Sequence, residues 1–186
     1  PFFLLRKMSF DVKSYLEKKN ISYKVHKHPP VFTCEEAEKY YSEIKGINSK
    51  NLFIKNRKNK KFFLLILPSQ RKLDMKEFGS RLNEKLKFAN ENNLKEILGL
   101  TPGSVSPFGL INDKEHITKV LIDQDIWDSD IVSFHPNINT ETLELNGKDF
   151  QKFIKTIGNT FELIWISNND NIFILELLSY FYVSEM

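Results

Sequence analysis

The residues of this chain whose types could do chemistry are few and scattered. His26 and His28 stand two apart in an alternating segment, so a strand would place both on one face. No third nitrogen or sulfur ligand follows them in a recognisable register, which argues against a metal centre. Cys34 is the only cysteine, and beside Glu35 and Glu36 its thiol pKa is raised rather than lowered, so it reads as packing and not as a nucleophile. Lys50 and Asn51 stand just before an apolar strand, with Lys45-Gly46 upstream. His135 ends another strand in Phe134-His135-Pro136-Asn137. Taken alone, Lys50 is one surface lysine among many and His135 a satisfied turn residue; spacing raises neither above that.

The familiar catalytic signatures are absent. The chain contains no Gly-x-Ser-x-Gly nucleophile elbow, no phosphate-binding Walker loop, no His-Glu-x-x-His and no Gly-x-Gly-x-x-Gly after a strand. Routine hydrolase, nucleotidase and dinucleotide readings are thereby excluded.

The elements that must position these residues can be read from composition and periodicity. With 186 residues, 41% hydrophobic and 27% charged, the chain is long enough for one well-buried domain and too short for two with a linker. A net charge of +3, carried on the basic side almost wholly by lysine, permits an RNA or phosphate ligand without demanding one. AT-rich coding sequence would supply the same lysines. A single cysteine excludes a disulfide framework and every multi-cysteine zinc pattern, which fits a reducing, cytoplasmic compartment. No apolar run reaches the about 18 residues of a membrane span.

Ser9 reads as the cap of a helix running to near Asn20, and Ile21–His26 as a strand stopped by Pro29-Pro30. Thr33 with Glu36 forms a capping box that opens a helix to about Ile44. Leu52–Ile54 and Phe62–Leu67 flank the polar Asn56–Lys60, the pattern of a β-hairpin with a charged tip. The second run is apolar throughout and so reads as a central strand covered on both faces. Helices start near Asp74 and near Asn90, the latter stopped by Gly99. Thr101 to Gly109 holds two prolines and two glycines but few charges, and reads as an ordered loop. Thr118–Ile122, Ile131–Phe134 and Thr142–Leu145 are short strands, Lys148–Ile157 a helix before Gly158, and Phe161–Ile166 a last strand. The fold class expected is α+β (mixed α/β). Residues 1–8 read as a leader, 9–166 as the domain and 167–186 as an apolar tail, with Ile172 to Val183 a helix packing on the core or on a partner, or the start of another domain.

Read together, several blocks resemble one family. They are His28-Pro29-Pro30-Val31-Phe32-Thr33, Lys50-Asn51-Leu52-Phe53, the run from Gly99 through Thr101-Pro102-Gly103-Ser104-Val105-Ser106-Pro107-Phe108-Gly109 to Asp113, and Phe134-His135-Pro136-Asn137 with Asn139-Thr140. In order and spacing they are similar to the YbaK-like aminoacyl-tRNA editing family, in its freestanding prolyl-tRNA-associated ProX or PrdX branch. The likeness covers about residues 9 to 166, and the tail from Ser167 has no counterpart in it.

The resemblance implies a curved mixed β-sheet flanked by helices, and an enzyme that hydrolyses the ester of mischarged tRNA, chiefly alanine on tRNA for proline, without metal or organic cofactor. It implies catalytic roles for Lys50, as a cation toward the terminal phosphate or ribose oxygens, and for Gly103, in the family's Gly-x-x-x-Pro loop that leaves backbone N–H groups to orient the substrate carbonyl. His135 would shape the aminoacyl site or order a water. Asn51, His28, Ser104, Ser106 and Pro107 would line the substrate site. Val31, Phe32, Val105 and Phe108 are the candidate walls of a pocket that admits alanine, with plain core packing equally open for each. The implied partners are the aminoacylated 3′ end of tRNA and, in one arrangement, prolyl-tRNA synthetase, with neither membrane nor DNA. Two other functions remain open: an editing-like tRNA-binding domain appended to a prolyl-tRNA synthetase with little activity of its own, and a regulatory protein that binds a free amino acid.

Overall fold

The computed structural model describes residues 11–30, 46–166 and 172–174 of the chain. The hairpin expected from the two apolar runs is its spine. Strand β2 (Ser49–Asn56) pairs antiparallel with β3 (Phe62–Pro68), and the polar residues between them form the turn. Strand β3 is central because its side chains are apolar in both directions. Leu64 and Ile66 enter one hydrophobic cluster, while Phe63, Leu65 and Leu67 enter another on the opposite face.

The other neighbour of β3 is β5 (Thr118–Asp123), in parallel, and β5 in turn pairs in parallel with β8 (Phe161–Ile166). Short β4 (Leu86–Phe88) closes one edge against β2, and β9 (Ile172–Ile174) runs antiparallel along β8 at the other. The order of this six-stranded sheet is β4-β2-β3-β5-β8-β9. A second, three-stranded sheet orders β1 (Lys24–Lys27), β7 (Glu141–Asn146) and β6 (Ile131–Phe134), all antiparallel. The β-structure is thus a mixed sheet and a smaller companion sheet, joined where Ile47 bridges Val132 and Ser49 Oγ donates to the Ser133 carbonyl at 3.2 Å.

Helix α1 (Val12–Lys18) is capped by Asp11, whose carboxylate accepts the N–H of Lys13 and Ser14; this replaces the cap expected at Ser9, which lies outside the described residues. The first strand begins at Lys24 and not Ile21, because Ile21 is buried in the core beside Leu16. Helix α2 (Met75–Arg81) is capped by Asp74 and α3 (Glu91–Asn93) by Asn90. The last continues as one wider π-type turn (Leu94–Leu98) into Gly99 at φ +66°. Sequence reading missed β4, the 3₁₀ helix Pro107–Asn112 and the short α4 (Gln124–Trp127). Helix α5 (Gly147–Ile157) buries Phe150, Phe153, Ile154 and Ile157 and ends at Gly158, as its spacing required. The tail corrects one expectation: Ile172–Ile174 is a strand, since pairing with β8 satisfies its backbone where a helix would leave that sheet edge open. The helix expected from Thr33 to Ile44 lies outside the described residues.

Candidate functional site

Strand β2 begins the site. Lys50 lies opposite Leu67 near the end of β3, so it sits beside the carboxyl ends of the parallel strands β3, β5 and β8, where sheets of this kind commonly bind ligands. Its side chain is half-buried, and the ammonium donates to the Arg71 carbonyl just beyond β3. Alternation turns the next residue, Asn51, to the other face. Its Nδ2 donates to the Val105 carbonyl at 3.2 Å, and that bond fixes the amide orientation. The Asn51 Oδ1 atom is buried and accepts no bond among the described residues.

The loop that Asn51 grips is held by its own serines. Ser104 Oγ donates to the Thr101 carbonyl at 2.8 Å, and Ser106 Oγ accepts the Phe108 N–H at 3.2 Å as the cap of the 3₁₀ helix. Both hydroxyls therefore serve the shape of the loop. Pro107 follows at the first helical position, where its missing N–H costs nothing. Gly103 has φ +83° on the exposed shoulder, a conformation that a side chain resists. Among the described residues, the backbone N–H groups of Gly103, Val105 and Ser106 donate to no acceptor. Half-buried Val105 packs against the core, whereas Phe108 lies fully inside it, edge-on to Phe134 at 6.1 Å and to Phe153 at 5.2 Å. For Phe108 the packing alternative is the one the geometry matches.

Contacts from β6 bring in the histidines. His135 follows β6 directly; its Nδ1 lies 2.8 Å from the Glu141 carbonyl, and because a carbonyl can only accept, Nδ1 carries the proton and Nε2 the lone pair. Burial pushes the His135 pKa down, the Glu141 carbonyl opposes this, and the nearby His28 adds to the lowering. His28 follows β1, edge-on to His135 at 5.5 Å between ring centres, and its Nε2 meets Thr142 Oγ1 at 3.0 Å. His26 pairs instead with Glu144 at 2.8 Å, two residues along β7. Both of these histidines are thus engaged by β7 on one face, and no group of three or more metal-ligating side chains occurs among the described residues.

The structure therefore gathers Asn51, the Thr101–Pro107 loop, His28 and His135 around the junction of the two sheets, although the blocks are far apart in sequence; Lys50 is next to Asn51 on β2, with its side chain turned to the opposite face against the Arg71 carbonyl. Val31 and Phe32, like Cys34, lie outside the described residues. Sequence reading did not find Arg71, whose carbonyl Lys50 meets, or Asp123 and Asp125, which meet the Arg71 guanidinium. Asp123 is the last residue of β5 and caps α4; its signal, a carboxylate ending an apolar strand, acquires meaning only once β5 is known to run parallel to β3.

Comparison with known proteins bears on the family and the fold. The model of the aminoacyl-tRNA editing domain matches residues 28–153. The prolyl-tRNA editing protein ProX of Acetoanaerobium sticklandii is 37% identical over 150 residues, covering 80% of this chain and 92% of that one. The prolyl-tRNA synthetase associated domain-containing protein 1 of Mus musculus is 33% identical, covering 73% of this chain and 82% of that one. Among solved structures, a candidate trans-editing enzyme for prolyl tRNA synthetase superposes with a TM-score of 0.63 at 18% identity, covering 81% of this chain and 92% of that one, a likeness of fold. With the family model spanning every one of its motif blocks, the chain belongs to the aminoacyl-tRNA editing domain family.

Proposed function

We propose that the protein is an aminoacyl-tRNA deacylase that hydrolyses tRNA mischarged by prolyl-tRNA synthetase, with alanyl-tRNA for proline as its substrate. The observation that carries this reading is the bond from Asn51, the strand neighbour of Lys50, to the Val105 carbonyl, which ties to β2 a loop whose Gly103, Val105 and Ser106 N–H groups are unengaged among the described residues. An aminoacyl ester is already activated, so catalysis needs a positioned water and donors for the developing oxyanion rather than a strong nucleophile. Backbone N–H groups of the Gly103–Ser106 stretch supply such donors. Lys50 supplies positive charge for the terminal phosphate or ribose oxygens. Asn51 Oδ1, a buried acceptor, suits the substrate's α-ammonium group. His135, neutral with its Nε2 lone pair, orders the water or shapes the aminoacyl pocket. The substrate's own ribose hydroxyl can complete proton transfer.

Selection of alanine follows from size: a pocket made for proline discriminates against a smaller side chain by only about 1–3 kcal/mol, and a second sieve that admits the smaller group restores accuracy. Val105 is the described candidate for its wall. A cytoplasmic location belongs to the same proposal, because charged tRNA for translation is its substrate; separately, among the described residues no helix is long and apolar enough to cross a membrane.

Labelled alanyl-tRNA and prolyl-tRNA for proline, incubated with the protein, test the reading. Alanine release is expected to exceed proline release, and Lys50→Ala to lower it by about 100-fold, the scale of lost positioning in such sites. Equal background release from wild type and variant would exclude deacylation. Tight binding of charged tRNA without turnover would instead favour a binding domain appended to a synthetase.

A further inference from the structure

The Lys50 ammonium donates to the backbone carbonyl of Arg71, in the loop between β3 and α2, so that loop helps to set the position of the charge. The loop in turn is anchored through the Arg71 side chain, which is 91% buried and lies 3.6 Å from Asp123 Oδ1, with a second, closer contact to Asp125 Oδ2. Asp123 is without exposed surface at the end of β5, its Oδ1 also accepting the Asp125 N–H at 3.0 Å. The chain of contacts runs from β5 through Asp123 and Arg71 to Lys50, entirely at the carboxyl ends of the parallel strands.

We infer that Arg71, clamped by Asp123 and Asp125, is a positioning residue that acts on the reaction by fixing the carbonyl to which Lys50 is tethered. Burying a guanidinium–carboxylate pair costs desolvation that a well-packed apolar pair avoids, so its presence at this point of the sheet is not a requirement of folding. Consistent with that cost, burial pushes the Asp123 carboxyl above its ordinary range, with the Asp125 N–H and the Arg71 charge opposing. The claim rests on Lys50 acting in deacylation, so its test has one arm that is independent of activity.

The activity-independent arm is acetylation of the full-length protein with limiting acetic anhydride at fixed pH, scored by mass spectrometry as the ratio of Lys50 to Lys58 modification. Arg71→Met is expected to raise that ratio several-fold, while Arg71→Lys, which keeps a cation for the two carboxylates, raises it less. An unchanged ratio in a variant whose circular dichroism and melting curve match wild type overturns the inference. If Arg71→Met melts early, Asp125→Asn, altered at a half-exposed carboxylate, provides the same comparison. The second arm is a double-mutant cycle in affinity for a non-hydrolysable alanyl-amidoadenosine. Arg71→Met is expected to weaken binding by about 10-fold in the wild-type background and by under about 2-fold in Lys50→Ala, because residues acting through one another are non-additive. Equal losses in both backgrounds overturn the coupling. A changed acetylation ratio with no effect of any variant on ligand affinity or turnover would leave the tether intact and remove Lys50 from the reaction, which is failure of the proposed function rather than of the network.

Discussion

At His135 a single bond decides the tautomer. Donation from Nδ1 to the Glu141 carbonyl fixes the tautomer, and burial holds the pKa below the ordinary histidine value of about 6.5. An imidazole NMR titration is therefore expected to show His135 titrating below 6.5. Its linkage to stability follows: the unfolded chain binds this proton first, so the contribution is fully present above about pH 6.5 and is lost as pH falls through the folded pKa. A titration at or above 6.5 would show that burial does not govern the ring. The sequence reached His135 only through a family likeness, since a histidine at a strand end is ordinary. Its partner could not be read at all, because the Glu141 carbonyl belongs to β7, brought alongside β6 by pairing that no local pattern announces. Lys50 and Asn51 were legible in the same indirect way, while Arg71 and Asp123 were not, their acting neighbours being 21 and 52 or more positions away in the chain.

At the scale of elements, what was legible had its cause in local physics. The β2–β3 hairpin, α5 and the helices capped by Asp74 and Asn90 follow from apolar periodicity and from carboxylate or amide side chains that satisfy the first N–H groups. The short pieces escaped because three to six residues carry too little periodicity: β4 alternates only once, and the 3₁₀ helix is hidden in a loop rich in proline and glycine. Yet Ser106-Pro107 is a legitimate start signal, a capping hydroxyl followed by a proline at the first helical position. The loop before it makes a testable element. Gly103→Ala carries the cost of the left-handed φ of +83°, about 1–2 kcal/mol. We expect a small fall in melting temperature with a disproportionate fall in turnover, because relief of the strain displaces the N–H groups of Gly103 to Ser106. Full turnover in a stable Gly103→Ala protein would separate the loop's backbone from the chemistry.

Across the whole molecule one apolar cluster reaches both sheets. Leu64, Ile66, Val120 and Ile122 of the larger sheet share it with Val132, Phe134, Leu143 and Leu145 of the smaller, and Phe108 lies among them. Phe108→Ala is accordingly expected to cost about 3–5 kcal/mol, read as a shift in urea midpoint with little change in slope. A loss under about 1 kcal/mol would mean that the ring is not a core member.

The seam between the sheets has a further consequence. Directional bonding across it is sparse among the described residues, chiefly the Ile47–Val132 bridge and the Ser49–Ser133 bond, so the distance from β2 to His135 is metered mainly by the volume of the side chains wedged between the two layers. Hydrophobic contact has no preferred direction and permits sliding at small cost. The separation of the two sheets at the proposed site is thus a quantity that evolution can tune from the interior, one methylene at a time, without changing any residue proposed to meet the substrate.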